Sequence, residues 1–366
     1  MLRVDNILNR RGVSLAIPSI IAIIAGVIFG FIILLITSPT QALDGLKSII
    51  IGGFEDGRTG IGQVIYLSIP VIMTGLSVGF AFKTGLFNIG APGQFTIGAF
   101  TAVYIGIKWT FLPPSIHWIV AIIGAIIAGG IWGSVPGILK AYANVNEVLS
   151  CIMMNYIGMY LVNLLITNNI YDPTKNQTQQ ITENALIPKG FFYNLFPYEG
   201  VNISMVLVIG IVAIVYIVLN KTTFGYELKA CGYNKDATSY AGINAKRNMV
   251  LSMTIAGVLS GIGGAMLYLS GSGKYMQVVD ILSIEGFNGI PVALLGLSSP
   301  IGILFAGLFI GHITVGGINL QLFDFVPEII DIIIASIIYF SALSLLFKNL
   351  FEKVRSFKKK KKEEGE

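Results

Sequence analysis

Two short stretches carry the side chains with the widest chemical reach. In "GLFNIGAPGQFTIGAF", residues 85–100, Phe87, Asn88 and Gln94 stand among four glycines and Pro92. In "IEGFNGIPVALLGLSSP", residues 284–300, Phe287 and Asn288 repeat the Phe-Asn pair beside glycines and Pro291. Carboxamides both donate and accept hydrogen bonds, and phenyl rings stack on planar solutes. Such groups suit noncovalent recognition of sugar hydroxyls or base edges rather than bond-making chemistry. Asn146 and Asn155 are further amides close to apolar sequence. Each of these seven residues also has a plain structural use, as a satisfied amide or a core ring.

The elements that must hold these residues are apolar. The 366-residue chain is 54% hydrophobic and 12% charged, with mean hydropathy +0.77. A soluble domain carries about twice that charge fraction. Apolar runs long enough to cross a bilayer recur along the sequence. The expectation is an all-α integral membrane protein, one membrane domain over 1–366. About ten transmembrane helices fall at roughly 14–37, 61–82, 92–111, 117–139, 146–167, 201–220, 248–270, 284–298, 300–321 and 325–347. The eighth is too short to cross straight, but the parity of the chain ends requires it. With the N-terminus inside, 18 of the 24 Lys and Arg residues fall on cytoplasmic segments and six outside, which predicts both termini cytoplasmic. The run "KKKKKEEGE" in the basic tail 348–366 reinforces that orientation. The first apolar stretch, about Val13–Ile36, is too long for a signal-peptide core, and Arg10-Arg11 reads as a cytoplasmic anchor before it.

Against this background the glycines, prolines and amides of 85–100 interrupt a span. Exposed backbone survives in hydrocarbon only where protein buries it or where it lines a wet cavity. The second interruption, at 284–300, occupies the corresponding place if spans 2–5 and 7–10 form two inverted halves. Paired interruptions in inverted halves point to a transport site near the midplane. The alternative is close helix packing through small residues, which accounts for the glycines and leaves the two Phe-Asn pairs without a reason.

Charge and motif content narrow the mechanism. Ion-coupled carriers place acidic or histidine residues deep in their spans. Here Glu147, Glu285, Glu328 and Asp331 lie near span ends, His117 is at an end, and His312 is alone in an apolar run. "SGSGKY", residues 270–275, lacks both the first glycine and the Ser or Thr of a P-loop. ATP, if used, belongs to a separate subunit. Cys151 and Cys231 form no disulfide or metal pattern, and no basic face interleaved with aromatics suggests nucleic acid. The matches to a glycosylation pattern at 176–178 and 202–204 are of a kind that recurs by chance.

Two loops are long. The segment 168–200, predicted outside, is either a docking surface or a spacer. The segment 221–248, "KTTFGYELKACGYNKDATSYAGINAKRN", is predicted cytoplasmic. Within it Asn234 reads as the N-cap of a short helix "KDATSYA", with Asp236 in the first turn and Gly242 as the stop. Such a helix on the inner membrane face is a handle for a cytosolic partner.

These residues carry a resemblance. "GLFNIGAPGQFTIGAF" resembles the "FNIG-x-x-GQ" signature of permease subunits of bacterial ABC importers for simple sugars, nucleosides and branched-chain amino acids. "GYELKACGYNKDATSYAGINAKRN" is similar to their coupling loop and "GFNGIPVALLG" to their late-span motif, over about residues 14–350. The full "GLFNIG" form and long outer loop look most like nucleoside permeases. The resemblance implies a non-catalytic subunit that forms a solute path for nucleosides. It also implies a second permease of different sequence, a cytosolic ATP-binding subunit holding ATP and magnesium, and an external solute-binding lipoprotein. Solute would meet Phe87, Asn88, Gln94, Asn146, Asn155, Phe287 and Asn288. The ATPase would meet Glu227, Ala230, Gly232, Tyr233, Asn234, Asp236 and Gly242. Many relatives have Glu where this chain has Pro92, and only Glu227, Ala230 and Gly232 keep the family's Glu-Ala-Ala form. A ribose-like sugar permease is the alternative within the family, and a standalone secondary transporter is the alternative outside it.

Overall fold

The computed structural model describes residues 11–271, 273–323 and 325–343; Arg3, Arg10 and the basic tail 348–366 lie outside the described residues. In chain order the helices are α1 (Arg11–Thr37), α2 (Ala42–Glu55), α3 (Arg58–Lys83), α4 (Ala91–Lys108), α5 (Pro114–Ala143) and α6 (Glu147–Asn169). A hairpin of β1 (Tyr171–Asp172) and β2 (Gln177–Thr178) precedes the single-turn helix α7 (Phe192–Leu195). Then follow α8 (Ser204–Lys221), α9 (Thr223–Tyr233), α10 (Lys235–Tyr240), α11 (Ala245–Tyr268), α12 (Ile284–Leu295), α13 (Pro300–Asn319) and α14 (Pro327–Ala342). Each predicted apolar segment overlaps one of these helices, residues 344–347 of the last lying outside the described residues. By length and composition seven helices among the described residues can cross a membrane: α1, α3, α5, α6, α8, α11 and the segment Pro300–Leu322. The protein is thus an all-α, multi-pass integral membrane protein. The amphipathic α2, with Asp44 and Lys47 among its apolar residues, was not foreseen from hydropathy.

The described residues divide into two compact units, one of residues 11–52 with 313–343 and one of residues 53–312. In the first, α14 lies along α1, with the Phe29 and Phe340 rings 5.2 Å apart. Asn319 Nδ2 donates to the Gly52 carbonyl at 3.3 Å.

The second unit is built around α3, which is buried along almost its whole length. Its sequence, rich in glycine, serine, threonine and small aliphatics, lets α4, α8, α11 and α12 pack on different sides. The tightest seam joins α5 to α11. There Gly129 and Gly133 lie against Gly257 and the Met253 carbonyl, and a Cβ on Gly133 would stand 2.5 Å from that oxygen. Nothing larger than hydrogen fits, so backbone meets backbone and dispersion contact accumulates along the seam.

Candidate functional site

The interruption at 85–100 is a helix start rather than a kink. After α3 ends at Lys83, Gly85 adopts φ +73° and an irregular stretch leads to Gly90, where α4 begins. Pro92 sits in the first turn of α4, where its missing N–H would have had no helical partner. The neighbours of that start lie deep in their own helices. Asn155 of α6 accepts from Gly93 N at 2.9 Å and donates to the Ile89 carbonyl at 2.9 Å. Ser260 of α11 donates to the Ala91 carbonyl at 2.7 Å. Both residues are at least eight positions from either end of their helices, about 12 Å along the axis. Side chains from two long spans thus meet the Ile89 and Ala91 carbonyls and the Gly93 N–H, while the N–H groups of Thr84, Gly85, Leu86 and Ile89 bond to nearby backbone carbonyls.

The second interruption meets the first. Gly286, in the first turn of α12, abuts the backbone of Pro92, and Gly289 lies against Thr74 with no room for a side chain. The Thr74 hydroxyl donates to the Glu285 carbonyl at 2.9 Å. Helix starts from two distant parts of the chain thus converge on the middle of α3. α12 itself has 12 residues, about 18 Å, which is shorter than a hydrocarbon core is thick.

A cavity of about 540 Å³ opens beside this convergence. Phe95 and Thr96 of α4, Met159 and Asn163 of α6, and Tyr268 of α11 form its wall, and the segment 273–285 roofs it. Asn163 Nδ2 holds that roof by donating to the Val279 carbonyl at 3.0 Å and to Asp280 Oδ1 at 3.1 Å. Lys274 Nζ stands 3.8 Å from Glu285 Oε1 across it. Its lining divides about evenly between apolar side chains and polar ones, among them Asn163, Gln177, Lys274 and Glu285, and its volume lies in the range of small-molecule sites.

The roof is tied to the long loop 168–200. Thr178 N donates to the Met276 carbonyl at 2.9 Å, and Gln177 bridges to Gln277. Farther along, Thr182 Oγ1 donates to the Gly106 carbonyl at 2.7 Å. The hairpin turn has its own local order: the Thr174 hydroxyl, then its N–H, hold the Asp172 carboxyl below its ordinary range.

The seven sequence-predicted path residues separate in space. Asn88 and Gln94 are buried and pair with each other, Asn88 Nδ2 to Gln94 Oε1 at 2.8 Å and Gln94 Nε2 to Asn88 Oδ1 at 3.0 Å; Asn88 Nδ2 also reaches Ser77 Oγ at 2.9 Å. Asn155 is buried and committed to the start of α4. Asn146 is the exposed N-cap of α6, accepting from Val148 N at 2.8 Å. Phe87 packs its ring 5.2 Å from that of Phe82. Phe287 is exposed and Asn288 half-buried on α12. Of the cavity's polar groups, Asn163, Tyr268 and Lys274 were not singled out from the sequence. Only Asn163 had a legible signal there, its helical spacing from Tyr156 and Tyr160.

The predicted coupling region forms two short helices. Asn234 Oδ1 accepts from Asp236 N and Ala237 N, each at 3.0 Å, so α10 starts where the cap was predicted, and Gly242 (φ +80°) follows its end. Tyr233 and Tyr240 are 90% and 94% exposed, a solvent-facing aromatic pair unsuited to bulk water. Glu227 faces inward, accepting from Asn248 Nδ2 at 3.0 Å, while Ala230 is half-buried. Burial pushes the Cys231 thiol above its ordinary range, an effect that the Asn248 amide partly offsets. Gly232 rests on the turn after α3, where a Cβ would stand 2.5 Å from the Lys83 carbonyl oxygen. The same turn leads into the Asn88–Gln94 pair and the start of α4. One backbone contact therefore joins the 221–248 loop to the wall of the cavity.

Comparison with known proteins bears on this arrangement. The family described as "Branched-chain amino acid transport system / permease component" matches residues 60–342. The guanosine ABC transporter permease protein NupP of Bacillus subtilis (strain 168) is 37% identical over 94% of this chain and 98% of its own length. The nucleoside ABC transporter permease protein NupB of Lactococcus lactis subsp. cremoris (strain MG1363) is 33% identical over 96% and 97%. The glucose ABC transporter permease protein TsgB13 of Haloferax volcanii is 28% identical over 79% and 77%. No solved structure matches the chain.

Proposed function

Because the chain belongs to the branched-chain amino acid transport system / permease component family, we propose that it is the membrane-spanning subunit of an ATP-driven nucleoside importer. The observation that carries this reading is the end-to-end match to two nucleoside permeases. Cytoplasmic termini are supported by the distribution of Lys and Arg, ten crossings by the ten apolar segments, and two inverted halves by the paired interruptions. Solute enters from an external binding lipoprotein seated near 168–200 and passes through the cavity beside the start of α4. A second permease of different sequence completes the path. ATP and magnesium are held by a cytosolic subunit that docks on Tyr233, Asp236 and their neighbours. Closure of that subunit moves α9 and α10, and Gly232 passes the motion to the turn at Lys83–Gly85 and on to α4. This chain performs no hydrolysis itself.

Uptake of radiolabelled guanosine by cells with and without the gene tests the reading, in a strain lacking other nucleoside carriers. Loss of uptake on deletion, with competition by unlabelled uridine and not by ribose, is the expected result. Unchanged guanosine uptake refutes it. The similarity to a glucose permease makes a sugar the second reading, and competition by ribose would favour that one.

A further inference from the structure

α6 buries one side and leaves the other uncovered. Cys151, Asn155, Met159, Val162 and Ile166 face α4 and α5. The uncovered side is sorted into two lines. One reads Leu149, Met153, Tyr156, Tyr160, Asn163 and Thr167, spaced three and four apart; the other reads Ile157, Leu161 and Leu164. Tyr156 and Tyr160 are 49% and 56% exposed and at least nine residues from either helix end, about 13 Å along the axis.

That depth is the wrong place for lipid-facing tyrosines. Tyrosine favours the headgroup level, where its ring is apolar and its hydroxyl wet. Among the described residues neither hydroxyl meets a hydrogen-bond partner. In hydrocarbon each hydroxyl would remain unsatisfied. The neighbouring aliphatic line has the composition lipid calls for. Moreover, the tyrosine line runs on to Asn163, whose side chain forms part of the cavity wall. The tyrosines therefore continue the polar track from the cavity towards the Glu147 end of α6.

The geometry points to Tyr156 and Tyr160 as a stacking site for the planar base of the solute, on the water-filled side of α6. This deepens the nucleoside-import reading and rests on it. Two rings one turn apart on one helix face offer consecutive apolar surfaces that any base can use, because every base has a π-face. Loss of such a surface slows passage of a base-bearing solute, whereas loss of the hydroxyl alone does not.

The test uses the whole transporter with its partner subunits. Y156C and Y160C are exposed in membrane vesicles to a small charged methanethiosulfonate, with I157C and L164C as controls on the adjacent line. Both native cysteines are buried, so the unsubstituted chain supplies the blank. Reaction at 156 and 160, its slowing by guanosine, and none at 157 and 164 are expected. In uptake assays Y156A and Y160A should each lower guanosine transport about tenfold, Y156F and Y160F should recover most of that loss, and I157A and L164A should stay near the unsubstituted rate. Guanosine uptake with positions 156 and 160 as unreactive as 157 and 164 overturns the stacking site alone. So does normal uptake by the alanine variants. Absence of nucleoside uptake by the unsubstituted transporter instead defeats the importer reading, and the base-stacking role with it.

Discussion

Replacing Asn155 with alanine removes two hydrogen bonds that hold the start of α4 to α6. The side chain accepts from Gly93 N and donates to the Ile89 carbonyl, each at 2.9 Å, at a residue only 2% exposed. In N155A both backbone groups are left buried without their partner, at about 1–3 kcal/mol each. Water admitted to the small void recovers part of this, so the net loss is roughly 2–4 kcal/mol. For a unit of this size, that corresponds to a fall in Tm of roughly 5–15 °C. The assay is thermal aggregation of the detergent-solubilised transporter followed by size-exclusion chromatography, alongside guanosine uptake in cells. N155D separates the two bonds: its carboxylate still accepts from Gly93, but it sets an oxygen against the Ile89 carbonyl. It should be no more stable than N155A. If instead N155A keeps its Tm and only weakens uptake, the amide faces solute and the structural assignment is wrong.

Other perturbations follow from the same contacts. G232A drives a Cβ to 2.5 Å from the Lys83 carbonyl oxygen, an overpacking of about 1–3 kcal/mol. It should cut uptake while the ATPase still turns over, measured as the ratio of hydrolysis to transport in proteoliposomes. G257V inserts a branched side chain into the α5–α11 backbone seam and should sharply reduce the amount of chain in the membrane, read by immunoblot of the membrane fraction. Because burial raises the Cys231 thiol, less of it is ionised at neutral pH than in a free cysteine. Maleimide labelling there should be slow at pH 7 and climb with pH beyond the point where an ordinary thiol levels off. Removing the Asn248 amide, which lowers that value, should slow labelling further at fixed pH. K274A breaks a half-exposed pair at 3.8 Å and should change Tm by no more than about 4 °C.

The sequence alone determined the class and the approximate places of the apolar helices. Hydropathy located the seven helices long and apolar enough to cross because membrane insertion is decided by composition over some twenty residues, a local property. Asn234 and Gly242 marked the limits of α10 for the same reason: capping involves only the nearest backbone groups. Both interruptions were visible, since glycine, proline and amides break an apolar pattern wherever they stand. What these residues do was decided by tertiary contact. Asn88 and Gln94 could as readily have faced solute as each other, and only the fold of 84–94 back on itself pairs them. Nothing local says that Gly286 lies on Pro92, nearly two hundred residues away, or that Gly232 rests on Lys83. The amphipathic α2 escaped because a helix with charge on one face does not register as a span. The cavity likewise has no sequence signature, for its wall is drawn from three helices and its roof from a loop. A solute site is a meeting of faces, and which faces meet depends on where close-packed glycines let backbones approach.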